Sequence, residues 1–120
     1  RCVNRKAETA MEAAEYVRRV LDAYRTTPDT CGVVRKPDRA FALALFARGV
    51  ALDAVENALV LAASRRLVRP ADAPPLGVIR SLAYFGPVIE EVLESPAGPD
   101  YYRYLRQRMH HWLATPSLRR

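Results

Sequence analysis

Residues 41–64, FALALFARGVALDAVENALVLAAS, constrain the fold more than any other stretch of this chain. Two apolar helices meet there at Gly49, and the second, reading roughly from Leu52 to Leu67, is apolar on almost every side. Leu52, Val55, Leu59 and Ala62/Ala63 form one stripe, and Val60 and Leu61 widen it until little polar surface remains. A helix apolar nearly all round has to lie among other helices, so the pattern predicts a bundle with this segment in its middle. Arg48, Asp53 and Glu56 interrupt the stretch. No apolar run reaches the ~18–20 residues needed to cross a bilayer, and we expect no membrane partner.

The flanking segments supply the rest of an all-α domain. ETAMEAAEYVRRVLDAYRTTPDT places Thr9 and Glu12 at capping-box spacing, with Ala10, Ala13, Val17, Val20, Leu21 and Tyr24 on one face. DTCGVVRKP reads as a loop without a strand partner. Asp38, after Pro37, caps a helix that runs through RAFALALFAR to a left-handed stop at Gly49. The proline-rich VRPADAPPLG is a connector. VIRSLAYFGPVIEEVLES is helical by period, but Gly86-Pro87 predicts a kink at Tyr84–Pro87, or two short helices with proline opening the second. Asp100 caps a last helix, YYRYLRQRMHHWLAT, which stops near Pro116. The expectation is a compact single-domain bundle of five to six helices containing a helix-turn-helix-like hairpin.

With 120 residues, half of them apolar, the chain has the size of one domain with one core. It begins with Arg1, which we read as the carboxyl-terminal part of a longer protein or a processed product. RCVNRKAETAMEAAEYVRR is charged throughout and is no signal peptide, so a cytoplasmic location is expected. Cys2 and Cys31 lack ligand spacing, and His110 and His111 point ~100° apart on a helix. No metal and no cofactor are therefore expected. Glu90, Glu91 and Glu94 form the tightest carboxylate group and read as a solvated face. With no nucleophile context at any serine and no glycine-rich phosphate loop, the chain does not read as an enzyme.

Charge points to a partner. The net charge is +6, with seventeen arginines against two lysines. Residues 1–60 carry +2, residues 61–120 carry +4, and the 21 residues from Asp100 onward carry +4 by themselves. Guanidinium forks match phosphate, although a GC-rich coding genome also raises arginine content. Arg65, Arg66 and Arg69 cluster at the end of the central helix, where they also offset its negative terminus. Arg103, Arg106 and nearby Arg108 lie on the last helix among aromatics. There Tyr101, Leu105, Met109 and Trp112 follow an apolar stripe, leaving Tyr102 and Tyr104 towards solvent, an arrangement suited to single-stranded nucleic acid. Arg35, Lys36 and Arg39 surround a helix start whose amides could hold an anion.

The hairpin itself does not read sequence. Gly49 and Val55 fit the glycine and apolar positions of a DNA-binding helix-turn-helix, but Leu45 stands where a small residue is usual. The groove-facing turn would be Ala51–Asn57, which brings Asp53 and Glu56 and no arginine towards phosphates. Those carboxylates suit the first turn of a helix instead.

AYRTTPDT, ARGVALDAVENALVLAASRR, APPLGVIRSLAYFGPVIEEVL and YYRYLR, between Tyr24 and Leu105, resemble a helical segment of replication-initiator-like proteins of bacterial plasmids and mobile elements. A looser resemblance is to primosomal DnaD-like domains. Tyr84, Val88 and Val92 share their Tyr–aliphatic spacing without the tryptophan; Tyr104 and Trp112 share both ends, with Arg108 between. The resemblance implies a DNA-binding piece of a multi-domain protein. The expected function is a non-catalytic, nucleic-acid-associated domain of a replication or mobile-element protein. Its arginine-rich faces would hold the phosphate backbone of DNA, single strands included, alongside other replication proteins. The alternative is a protein–protein interaction or oligomerisation module, with the LAYFGPVIEEVL kink and the last helix presenting aromatics to a partner.

Overall fold

The computed structural model describes residues 12–69, 72–95 and 97–114. Among them are five α-helices: α1 (Ala13–Thr26), α2 (Lys36–Ala47), α3 (Leu52–Leu67), α4 (Gly86–Glu94) and α5 (Pro99–Ala114), with a 3-10 helix at Leu82–Phe85 just before α4. Helix α3 is the central element the sequence predicts. It packs against α1, α4 and α5 and buries Val55, Ala58, Leu59, Leu61, Ala62 and Ala63. Three of these are alanines, whose small side chains let neighbouring backbones come close. None of the described helices is long and apolar enough to cross a membrane.

Helix α2 ends in a Schellman motif. Gly49 takes φ +79°, its N–H bonds to the Phe46 carbonyl at 3.0 Å, and the Val50 N–H reaches back to Leu45 at 3.1 Å. The buried Val50 carbonyl then accepts the Tyr16 hydroxyl at 2.7 Å. This explains why Tyr16, absent from the predicted stripe, lies in the core beside Val20, Leu21 and Tyr24: its ring reaches across to the hairpin turn. Helices α2 and α3 approach α1 far more closely than they approach each other. The glycine turn therefore directs two helices onto a third and does not close a packed hairpin.

Three local expectations are corrected. Arg35, not Asp38, occupies the cap of α2; Asp38 is the third residue, and its Oδ2 accepts the Arg35 N–H at 2.9 Å. Pro37 fits the first turn because its missing N–H would be unpaired there anyway. Residues 78–81 are extended rather than helical, and the loop after α1 does have a partner. Ile79 donates to the Asp29 carbonyl at 2.7 Å and accepts from Cys31 at 2.9 Å, a parallel bridge pairing Thr30 with Ile79. At Gly86-Pro87 the chain changes from the 3-10 helix to α4, the two-helix alternative. Thr9 of the predicted capping box, Cys2 and Pro116 lie outside the described residues.

Asp38 is 2% exposed. Its second oxygen, Oδ1, accepts the N–H of Leu82 at 2.9 Å, the first donor of the 3-10 helix and one that has no partner within that helix. One carboxylate thus closes two helix starts, the second through a residue 44 positions away from Asp38. Replacing Asp38 with Ala leaves two backbone donors without their charged acceptor, a loss of about 3 kcal/mol, to be measured by urea unfolding; Asn, which keeps one acceptor oxygen, loses roughly half of that. Gly49→Ala costs about 1 kcal/mol, because a Cβ there meets nothing within 4 Å and only the positive φ opposes it.

Candidate functional surface

The arginines at the end of α3 find partners within the chain, Arg65 from an exposed position and Arg66 from a nearly buried one. Arg65 makes a two-pronged pair with Glu91 of α4, with Nη1 to Oε1 at 2.9 Å. The Arg66 side chain is 7% exposed. It donates to Asp29 at 3.1 Å, to the Tyr84 hydroxyl at 3.0 Å and to the Gly77 carbonyl at 2.6 Å, and lies over the Tyr84 ring at 5.7 Å. Arg66 thus ties the loop after α1, the connector and the 3-10 helix to α3. Arg69 donates to the Pro74 carbonyl at 2.6 Å. As a phosphate-binding group this cluster is largely neutralised by the chain's own acceptors.

Helix α5 carries the second group. Arg103 pairs with Asp100, Arg106 donates to Asn57 Oδ1 at 3.0 Å, and Arg108 bonds the Tyr104 hydroxyl at 3.0 Å while lying over its ring. Tyr104 is half-exposed, as the sequence predicts. Tyr102 is not: it is 3% exposed, whereas Tyr101, assigned to the apolar stripe, is exposed. Three- and four-residue steps lead back from Leu105 equally well to Tyr101 or Tyr102, and packing on α3 selects Tyr102. Between the two helices lies a cleft of about 310 Å³ lined by Leu61, Ser64, Leu105, Met109 and Trp112, with Arg65, Tyr101, Tyr104 and Arg108 also on its walls.

The third group keeps its charge. Asp38 takes the Arg35 N–H at the start of α2, so the chain's own carboxylate engages an amide there that the sequence offered to an external anion. Around it Arg35, Lys36 and Arg39 are exposed. Arg35 Nη1 bonds the backbone carbonyl of Arg80 at 3.3 Å, so the main chain of a fourth exposed cationic residue lies beside this edge. None of the four has a carboxylate within ion-pairing distance among the described residues. Arg39 also stands on the rim of the α1–α2 groove, with Arg18 and Arg25 of α1 opposite; both of these lie near Asp22. Sequence reasoning missed Arg80, Arg18 and Arg25, since no local pattern joins them to residues 35–39. Only the Asp38–Leu82 bond and the packing of α1 on α2 do so.

Of the α4 glutamates, Glu90 and Glu91 are pairing groups, while Glu94 stands exposed without an ion pair among the described residues. Glu90 takes Arg48 at 2.8 and 3.3 Å as Glu91 takes Arg65. Hydrogen bonding to these guanidinium groups is the main reason that both carboxyls sit below the usual glutamate range. No group of three or more His, Cys, Asp or Glu side chains among the described residues could hold a metal ion. A lowered carboxyl pKa gives stability that is fully present above the unfolded value near ~4.3 and lost as pH falls through the lower folded value. Glu91→Gln therefore melts below the parent protein at pH 7, and the difference shrinks as pH falls below the unfolded carboxyl value and through the lower folded one; thermal melts across the acid range check it. No family model, curated protein or solved structure matches this chain.

Proposed function

We propose that this chain is a non-catalytic, nucleic-acid-associated domain of a DNA replication or mobile-element protein, holding the phosphate backbone along the edge formed by Arg35, Lys36, Arg39 and Arg80. What carries the reading is that these four cations are exposed, come from two segments joined where Arg35 bonds the Arg80 backbone, and lack carboxylate partners among the described residues. Arg18 and Arg25 on the neighbouring groove are balanced by Glu15 and Asp22 and add no net charge to this edge. Such an edge positions a backbone and reads little sequence. The groups first expected to do this contribute less. Arg65, Arg66 and Arg69 serve the fold, while Arg103, Arg106 and Arg108 hold partners on or beside their own helix. Pairs as exposed as Arg103–Asp100 exchange readily for phosphate, so α5 serves as an auxiliary contact together with Tyr104.

The interaction-module reading has its own support. The α3–α5 cleft has an apolar floor, and Tyr101, Tyr104 and Leu113 are exposed on α5, whose one buried residue is Tyr102.

Fluorescence anisotropy on single- and double-stranded DNA across a salt series separates the two. Binding falls steeply with salt, and the combined Lys36→Ala, Arg39→Ala and Arg80→Ala variant lowers the log–log slope by roughly two to three units. Arg103→Ala changes it by less than about one. Absence of binding at low salt, or an unchanged slope in the triple variant, contradicts the reading. Concentration-dependent self-association abolished by Tyr104→Asp would favour the alternative.

A further inference from the structure

The cleft between α3 and α5 combines an apolar lining with a one-sided charge. Buried Leu61 and part-buried Leu105, Met109 and Trp112 supply the lining, and exposed Tyr101 and Tyr104 stand on its α5 side. Its volume of about 310 Å³ lies at the small end of the ~300–1,000 Å³ found for small-molecule sites. That space suits one two-ring aromatic body. A partner helix needs a longer groove with several successive anchor points.

No carboxylate lines the cleft among the described residues, whereas two guanidinium groups do. Arg65 is committed to Glu91 by both prongs. Arg108 has no ion pair among the described residues. Its Nη1 donates to the Tyr104 hydroxyl at 3.0 Å, and its guanidinium carbon lies 5.8 Å from the centre of that ring. This contact fixes the head of Arg108 and uses only one of its donors, so the rest of the fork remains for a carboxylate. Tyr104 accepts from Arg108 and keeps its own proton for the same anion. On the α3 wall, Ser64 Oγ is shut off from solvent and has no hydrogen-bond partner among the described residues. A desolvated hydroxyl left unpaired costs stability, and a polar atom entering the cleft would give it a partner.

We propose that the α3–α5 cleft binds a small aromatic carboxylate. The rings pack against Leu105, Met109 and Trp112, and the carboxylate is held by Arg108 and Tyr104. None of the residues of the basic edge at Arg35, Lys36, Arg39 and Arg80 lines this cleft, so the site stands or fails independently of DNA binding.

Isothermal titration calorimetry of the full chain with naphthoate tests the assignment. Naphthylmethanol presents the same rings without charge, and naphthylmethylamine reverses the charge. Naphthoate binds at one site, roughly tenfold tighter than the alcohol, and the amine binds weakest. Arg108→Gln, a change at an exposed side chain, removes the preference for the acid and leaves the alcohol's affinity unchanged. In NMR spectra naphthoate shifts the indole N–H of Trp112, the chain's single tryptophan, and the amide of Ser64, while the amides of Lys36 and Arg39 stay in place. Absence of binding, an acid bound no tighter than the alcohol, a preference that survives Arg108→Gln, or shifts that bypass Trp112 each overturn the proposal. So does a dimer in sedimentation that covers this face and takes up no naphthoate.

Discussion

The buried carboxylate of Asp38 is the constraint on which the rest of this structure turns. Its two oxygens accept from Arg35 and Leu82, so α2 and the 3-10 helix share one origin. A charge this deep is tolerated only when both oxygens are engaged by donors, which fixes the distance and angle between the two segments. Leu82, Phe85 and Ile89, all fully buried, follow directly from that point. The parallel bridge at Thr30–Ile79 brings the preceding loop into the same corner. The cations that surround Asp38 inherit their spacing from it: the Arg80 main chain comes beside Arg35 because Leu82 is held two residues later.

Arginine plays two separable parts in this molecule. On α3 and at the end of α2 its fork links elements: Arg65 joins α3 to α4, Arg48 joins the hairpin to α4, and Arg66 gathers three segments at once. Exposed pairs of this kind add little each, but Arg66, nearly buried and bonded on three sides, is a structural centre. At the start of α2 the same side chain stands in solvent without a carboxylate partner among the described residues. Net charge counts both kinds alike, which is why composition alone overstates the surface open to a polyanion.

The all-α class, the central position of α3, the Gly49 stop and the break at Gly86-Pro87 were legible because each follows from periodicity or from one residue's backbone preference. Their causes are local. Asp38 was legible as part of the α2 start, though not in its place as third residue and not as a bridge, since its second partner lies 44 positions away. Tyr102 was misplaced because a helix register with three- and four-residue steps leaves its first member open. Ile79 was drawn into a helix by a period that its pairing with Asp29 and Cys31 overrides. The candidate surface was half legible: residues 35–39 cluster in the chain itself, whereas Arg80, Arg18 and Arg25 join them only through tertiary packing.

The geometry of this corner depends on Asp38 joining two helix starts. Native-state hydrogen exchange at the Leu82 amide measures this most directly. That amide opens the 3-10 helix, and without Asp38 it has no acceptor of its own. If the carboxylate holds it, Leu82 exchanges as slowly as the buried amides of Ala58 and Ala62 on α3, through global unfolding. Exchange at the rate of the connector residues 76–78 would mean that the joint opens freely, and the basic edge would have no fixed geometry.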